Sequence, residues 1–168
     1  MRKLLYSLIA LSAAAPALAA PISVTAPVEV RASVIRPLTF TSTGSMNFGT
    51  IILNGLTANR TVSISPANVR DCGGGTAQLI CSGATSVPTY NVQGTNKMSV
   101  SIIKTASSLT NASTGATLAM TLTGPTNILL TNSGAPGFDF AIGGSITLTP
   151  TTGDGLYSGT VNVQVDYQ

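Results

Sequence analysis

The stretch Gly155-Leu156-Tyr157-Ser158-Gly159-Thr160-Val161-Asn162-Val163-Gln164-Val165-Asp166-Tyr167-Gln168 decides how this chain is read. From Val161 the pattern alternates strictly. Val161, Val163, Val165 and Tyr167 point one way, and Asn162, Gln164, Asp166 and Gln168 point the other. Successive side chains on a strand face opposite sides, so this is a half-buried β-strand of clear register. Its apolar face needs a cover and its backbone edges need partners. Which segment supplies them, from this molecule or another, is the functional question.

A second alternating stretch lies at the other end of the chain. Ile22, Val24, Ala26, Val28, Val30, Ala32 and Val34 share one parity, and Ser23, Thr25, Pro27, Glu29, Arg31, Ser33 and Ile35 the other. At roughly 3.3 Å per residue this predicts a strand over 20 Å long. Pro27 has no N–H and fits only where its nitrogen faces no acceptor. The stretch is either an ordinary first strand or a strand given to a neighbour. Ahead of it, Arg2 and Lys3 precede an apolar run from Leu4 to Ala15 and the small-residue site Ala17-Leu18-Ala19. The run is too short to span a bilayer, so residues 1–19 read as a secretory signal peptide rather than a membrane anchor, with cleavage after Ala19 or Ala20. The expected organisation is a signal peptide at 1–19, an N-terminal extension at 20–36 and one domain at 37–168.

Without the signal peptide the charge nearly balances. Arg31, Arg36, Arg60, Arg70, Lys97 and Lys104 face Glu29, Asp71, Asp139, Asp154 and Asp166. The cations are scattered, so no basic patch points to nucleic acid or anionic lipid. Charged residues make up only 8% of the chain. Thr, Ser, Gly, Ala and Val dominate, and no stretch shows helical apolar spacing; the class is all-β. Short alternating segments punctuated by Gly, Pro and Asn predict an antiparallel β-sandwich. Among them, Thr89–Gln93 and Met98–Ile102 read as a hairpin, and Ala106–Thr117 as a loop. Phe138–Ile142 and Ile146–Leu148 read as two strands parted by a turn at Gly143-Gly144.

Catalytic chemistry finds little to use. The chain has no histidine, which removes Ser-His-Asp and Cys-His nucleophile systems. Cys72 and Cys81 in an exported protein are expected to form a disulfide, and Gly73-Gly74-Gly75 lets the short loop close. A metal or redox pair is the alternative, but two thiols without histidine make a poor zinc site and the spacing is not Cys-x-x-Cys. The acids are isolated, so neither a paired-carboxylate hydrolase nor a calcium loop is indicated. The glycine run has no lysine or strand-to-helix context for phosphate. We expect no enzyme, no cofactor and no metal, and the sequence identifies no small-molecule substrate. A transmembrane barrel would need aromatic girdles, and the chain has no Trp and few aromatics.

Three motifs carry a family resemblance. Met46-Asn47-Phe48-Gly49-Thr50-Ile51 resembles the Asn-Phe-Gly motif of a family of secreted bacterial β-domains of unknown function. Phe140-Ala141-Ile142-Gly143-Gly144-Ser145-Ile146 resembles its Gly-Gly strand turn, and Leu156-Tyr157-Ser158-Gly159-Thr160-Val161 through Tyr167 its closing strand. That family is in turn similar to spore coat protein U domains and archaic chaperone–usher pilins. Pilins have an aromatic at the penultimate position and a glycine fourteenth from the end; Tyr167 and Gly155 occupy these positions here. The resemblance implies an immunoglobulin-like sandwich lacking its last strand. Gly155, Val161, Val163, Val165 and Tyr167 would line an acceptor groove. Ile22, Val24, Ala26, Val28 and Val30 would form the donor strand, and Cys72/Cys81 would match the short disulfide loop of several pilins. It further implies a periplasmic chaperone, an outer-membrane usher and other copies of the chain as partners, with passage through the periplasm to a surface fibre. The rival reading is a stand-alone secreted adhesive or binding domain that uses its own N-terminal strand.

Overall fold

Every regular element of the structure, a computed structural model that describes residues 23–74 and 77–168, is a β-strand. Two units divide the chain after Ser33. In the described part of the first, Ser23–Ser33, the expected strand is not formed: no residue takes regular structure. Val24, Val28 and Val30 are 86%, 82% and 88% exposed. Arg31 and Glu29, two residues apart, form an ion pair at 2.7 Å. An isolated strand leaves every backbone group unpaired, so alternation alone does not create one. The signal-peptide residues and Ile22 lie outside the described residues.

The second unit, Val34–Gln168, holds the strands. In chain order they are β1 (Thr39–Thr43), β2 (Thr50–Leu53), β3 (Arg60–Ile64), β4 (Arg70–Cys72), β5 (Leu79–Ser82), β6 (Thr89–Gln93), β7 (Ser99–Ala106) and β8 (Leu109–Asn111). There follow β9 (Thr117–Leu118), β10 (Met120–Thr123), β11 (Asn127–Leu129), β12 (Phe138–Ala141), β13 (Gly143–Leu148), β14 (Tyr157–Ser158) and β15 (Val161–Tyr167). All pairings are antiparallel. The sheets run β1-β6-β12, β10-β13-β3-β4, β11-β7-β15, β14-β8-β9 and β2-β5. None closes on itself among the described residues.

Two apolar clusters fill the interior. One gathers Val62, Ile64, Leu79, Leu118, Ile146 and Leu148. The other gathers Tyr90, Val92, Val100, Ile102, Phe140 and Ile142. Three expectations need correction. Thr89–Gln93 and Met98–Ile102 do not pair: β6 lies between β1 and β12, and β7 between β11 and β15. The Asn96-Lys97 turn therefore carries the chain from one sheet to another, and both strands bury their apolar faces in the same cluster. The Gly143-Gly144 pair makes no reversal either. β12 and β13 run on in one alternating register across two sheets, with Phe140, Ile142, Ile146 and Leu148 all buried. The glycines serve close packing. A Cβ on Gly143 would fall on the Ile64 carbonyl, and one on Gly144 would meet the Met46 sulfur and the Thr121 carbonyl oxygen at 3.0 Å. Finally, Ala106–Thr117 is not a plain loop, since it contributes β8 and the start of β9.

Candidate functional site

The closing stretch forms β15 as its alternation requires, and β15 is an edge strand. It pairs with β7 from Val161↔Ala106 to Tyr167↔Val100, and no other strand pairs with it among the described residues. Which backbone groups face the open edge follows from the ladder. Gln168 N–H donates to the Ser99 carbonyl at 3.0 Å, and Ser107 N–H to the Thr160 carbonyl at 3.0 Å. Directly opposite antiparallel residues alternate between bonded and non-bonded pairs. Asn162, Gln164 and Asp166 therefore turn their N–H and C=O groups toward β7. Val161, Val163, Val165 and Tyr167 turn theirs to the unpaired side, while their side chains point inward. The inward side chains are only half-buried. Val163, Val165 and Tyr167 pack on the second core cluster.

A cavity of about 1180 Å³ meets this strand at its first residue, Val161. One wall runs from Ser42 through Met46, Asn47 and Phe48 to Leu53, and the other from Thr152 through Gly155 to Val161. Its floor is apolar: Tyr90, Leu109, Leu118, Met120, Ile146 and Leu148. Among the described residues, Asp154 is the one charged residue in its lining. Burial pushes the Tyr90 hydroxyl above its ordinary pKa. Phe40, Tyr90 and Phe140 stack with ring centroids 5.3 to 6.4 Å apart.

Both walls are held by specific bonds. The Arg70 guanidinium donates through Nη1 to the Phe48 and Ser82 carbonyls, both at 2.9 Å. Gly49, at φ +77°, has no Cβ to obstruct that guanidinium. The Asn47 side-chain oxygen accepts from Gly49 N–H at 2.9 Å. β2 pairs with β5, where Cys81 sits opposite Ile51, and the Cys72–Cys81 disulfide ties β5 to β4. On the other wall, Asn111 is 1% exposed. Its Nδ2 donates to the Asp154 carbonyl at 2.9 Å, and its Oδ1 accepts from Ser113 N–H at 2.9 Å and Thr114 N–H at 3.2 Å. Gly155, at φ +132°, leaves the space that Asn111 fills. At the far end of β15, the Tyr167 hydroxyl accepts from Thr95 N–H at 2.8 Å and donates to the Arg36 carbonyl at 2.7 Å.

Of the residues singled out in the sequence, Gly155 and Val161 line the cavity, whereas Val163, Val165 and Tyr167 lie farther along the same strand, outside the lining, and pack on the second core cluster. Cys72 and Cys81 are bonded. Val24, Ala26, Val28 and Val30 are exposed in the first unit. The lining residues Leu109, Leu118 and Tyr157, and the supporting Asn111 and Arg70, were not legible as site residues. Their segments are short and irregularly spaced, and pairing brings them together only in three dimensions. Among the described residues no three His, Cys, Asp or Glu side chains come together to hold a metal ion. No helix there is long and apolar enough to cross a membrane.

An all-β antiparallel domain with an edge strand at β15 and an apolar-floored cavity that reaches that strand at Val161 is thus the class that fold and site define. The chain belongs to the family described as a domain of unknown function, DUF4402, whose profile matches residues 38–167. No curated protein and no solved structure matches the chain significantly.

Proposed function

We propose that the protein is a structural subunit of a surface fibre, a pilus or related coat, assembled by donor-strand complementation. The observation that carries this reading is the edge of β15, unpaired among the described residues, with an apolar-floored cavity reaching its first residue, in a chain that also holds an exposed alternating apolar segment. In this reading the domain is an immunoglobulin-like sandwich lacking one strand, similar to the pilin and spore coat protein U domains. Ile22, Val24, Ala26, Val28 and Val30 of one copy enter the groove of the next and complete its sheet by β-strand addition. Each larger aliphatic buried in this way contributes about 1.5–3 kcal/mol before the costs of association. The contact is head-to-tail and does not close, so repetition gives a fibre. An exposed apolar edge is an aggregation hazard. A periplasmic chaperone covering it before an outer-membrane usher assembles the fibre answers that hazard, and the signal peptide supplies the export step.

The test is gel electrophoresis of the native exported protein without heating. Ladders of high mass that collapse on boiling are expected, and deletion of residues 22–34 abolishes them. A wild-type chain that runs as a monomer in both states sinks the proposal and leaves the stand-alone domain.

A further inference from the structure

Asn54-Gly55 is the one place in the chain where an asparagine precedes a glycine; every other asparagine is followed by a residue with a side chain. The pair lies in the irregular connection between β2 and β3, and Asn54 is exposed. Gly55 takes φ +67°, and a Cβ there would meet nothing within 4 Å. Among the described residues the Gly55 N–H makes no hydrogen bond. A glycine nitrogen that is unbonded and has no Cβ beside it is the least hindered backbone nucleophile toward the carboxamide one residue earlier. Asparagine is itself a thermolabile side chain.

The same asparagine closes the end of the β2–β5 ribbon. Its backbone N–H donates to the Gln78 carbonyl at 2.9 Å, one step beyond the last ladder pair, Leu53↔Leu79. Its Nδ2 donates to the Ala77 carbonyl at 3.3 Å. Among the described residues β2 and β5 pair with no strand but each other, so no neighbouring ladder makes good a bond lost at this end. Leu53, the last residue of β2, lines the cavity.

We infer that Asn54 is a self-modification site, converted to aspartate and isoaspartate with water as the co-reactant, and that its conversion loosens the β2–β5 ribbon. The Gly55 nitrogen attacks Cγ of Asn54 and forms a cyclic imide. The Cγ–Nδ2 bond breaks, and Nδ2 leaves as ammonia with the proton from Gly55. Water then opens the imide at Cγ, giving aspartate, or at the main-chain carbonyl, giving isoaspartate; nothing is oxidised or reduced. Either product adds a negative charge and lacks the Nδ2 donor, so the Ala77 carbonyl loses that partner. Isoaspartate also adds an atom to the main chain between β2 and β3. The chemistry needs no second copy, so it is read in monomer and fibre alike.

The test is to incubate the full-length exported protein in mildly alkaline buffer, folded and in urea, and to follow it by peptide mass spectrometry, isoaspartate detection and amide hydrogen exchange. In the folded protein the peptide holding Asn54 is expected to change from amide to acid before any other asparagine, with isoaspartate among the products. Asn54→Gln keeps a carboxamide but would need a larger ring, and stays unmodified. In the converted protein and in Asn54→Asp, the ladder amides of β2 and β5 exchange about fivefold faster, the effect of one lost hydrogen bond, while those of β3 and β13 do not change. An Asn54 that converts in urea but stays intact in the folded protein means that the bond to Ala77 protects the amide, and overturns the inference. So does another asparagine converting first in the folded protein. Unchanged exchange of β2 and β5 in both the converted protein and Asn54→Asp overturns the loosening.

Discussion

At Gly155 the backbone takes φ +132°, and a Cβ there would press on the buried Asn111 side chain. Gly155→Ala is expected to cost about 1–3 kcal/mol, the range for a side chain forced into a sparsely allowed backbone region, measured by denaturant unfolding of the otherwise unchanged chain. Tyr167 acts through its hydroxyl, which joins Arg36 and Thr95 to the last strand. Tyr167→Phe leaves one N–H and one C=O without that partner and is expected to lose about 1–2 kcal/mol in the same measurement. Tyr90 supplies a pH prediction. Its pKa is raised in the folded state by burial, above the ordinary 10.0. The contribution that favours its neutral form is therefore complete below the ordinary value and is lost as pH rises through the folded value. Thermal unfolding in alkaline buffers should show a stability loss that Tyr90→Phe reduces.

The elements show where alternation is a sufficient signal and where it fails. β15 was legible because one face is half-buried and the other exposed, which writes a period of two into the sequence. The extension has the same period and forms no strand in its described part, because a strand exists only with a partner. The period also cannot say which strands pair. β6 and β7 are neighbours in sequence, yet they belong to different sheets that share a core. β8 and β9 were hidden by their length, three and two residues, too short for any period to register. The cysteines were legible as a pair, whereas their effect on the groove was not: the bond holds β5, and through it the β2 wall. The bridge spans a sequence separation of 9, and loop-closure entropy gives it about 2.5 kcal/mol. Replacing both cysteines with serine should lower unfolding stability by about that amount, and reducing agent should lower wild type but not the variant.

For the molecule as a whole, the donor-strand proposal sets the unpaired edge of β15 against the exposed extension of a second copy. A single strand carries the sharpest readout of whether they meet, because alternate amides of β15 face opposite sides. Asn162, Gln164 and Asp166 turn to β7, and Val161, Val163, Val165 and Tyr167 to the open edge. The most direct measurement is amide hydrogen exchange along β15, in the assembled exported protein and in the chain lacking residues 22–34. Donor-strand assembly predicts that all seven amides of β15 are protected in the assembled protein. In the truncated chain the odd-numbered set should exchange fast while Asn162, Gln164 and Asp166 stay protected, which also shows that the domain remains folded. Equal protection of both sets in the truncated chain, with no change on assembly, would contradict the account.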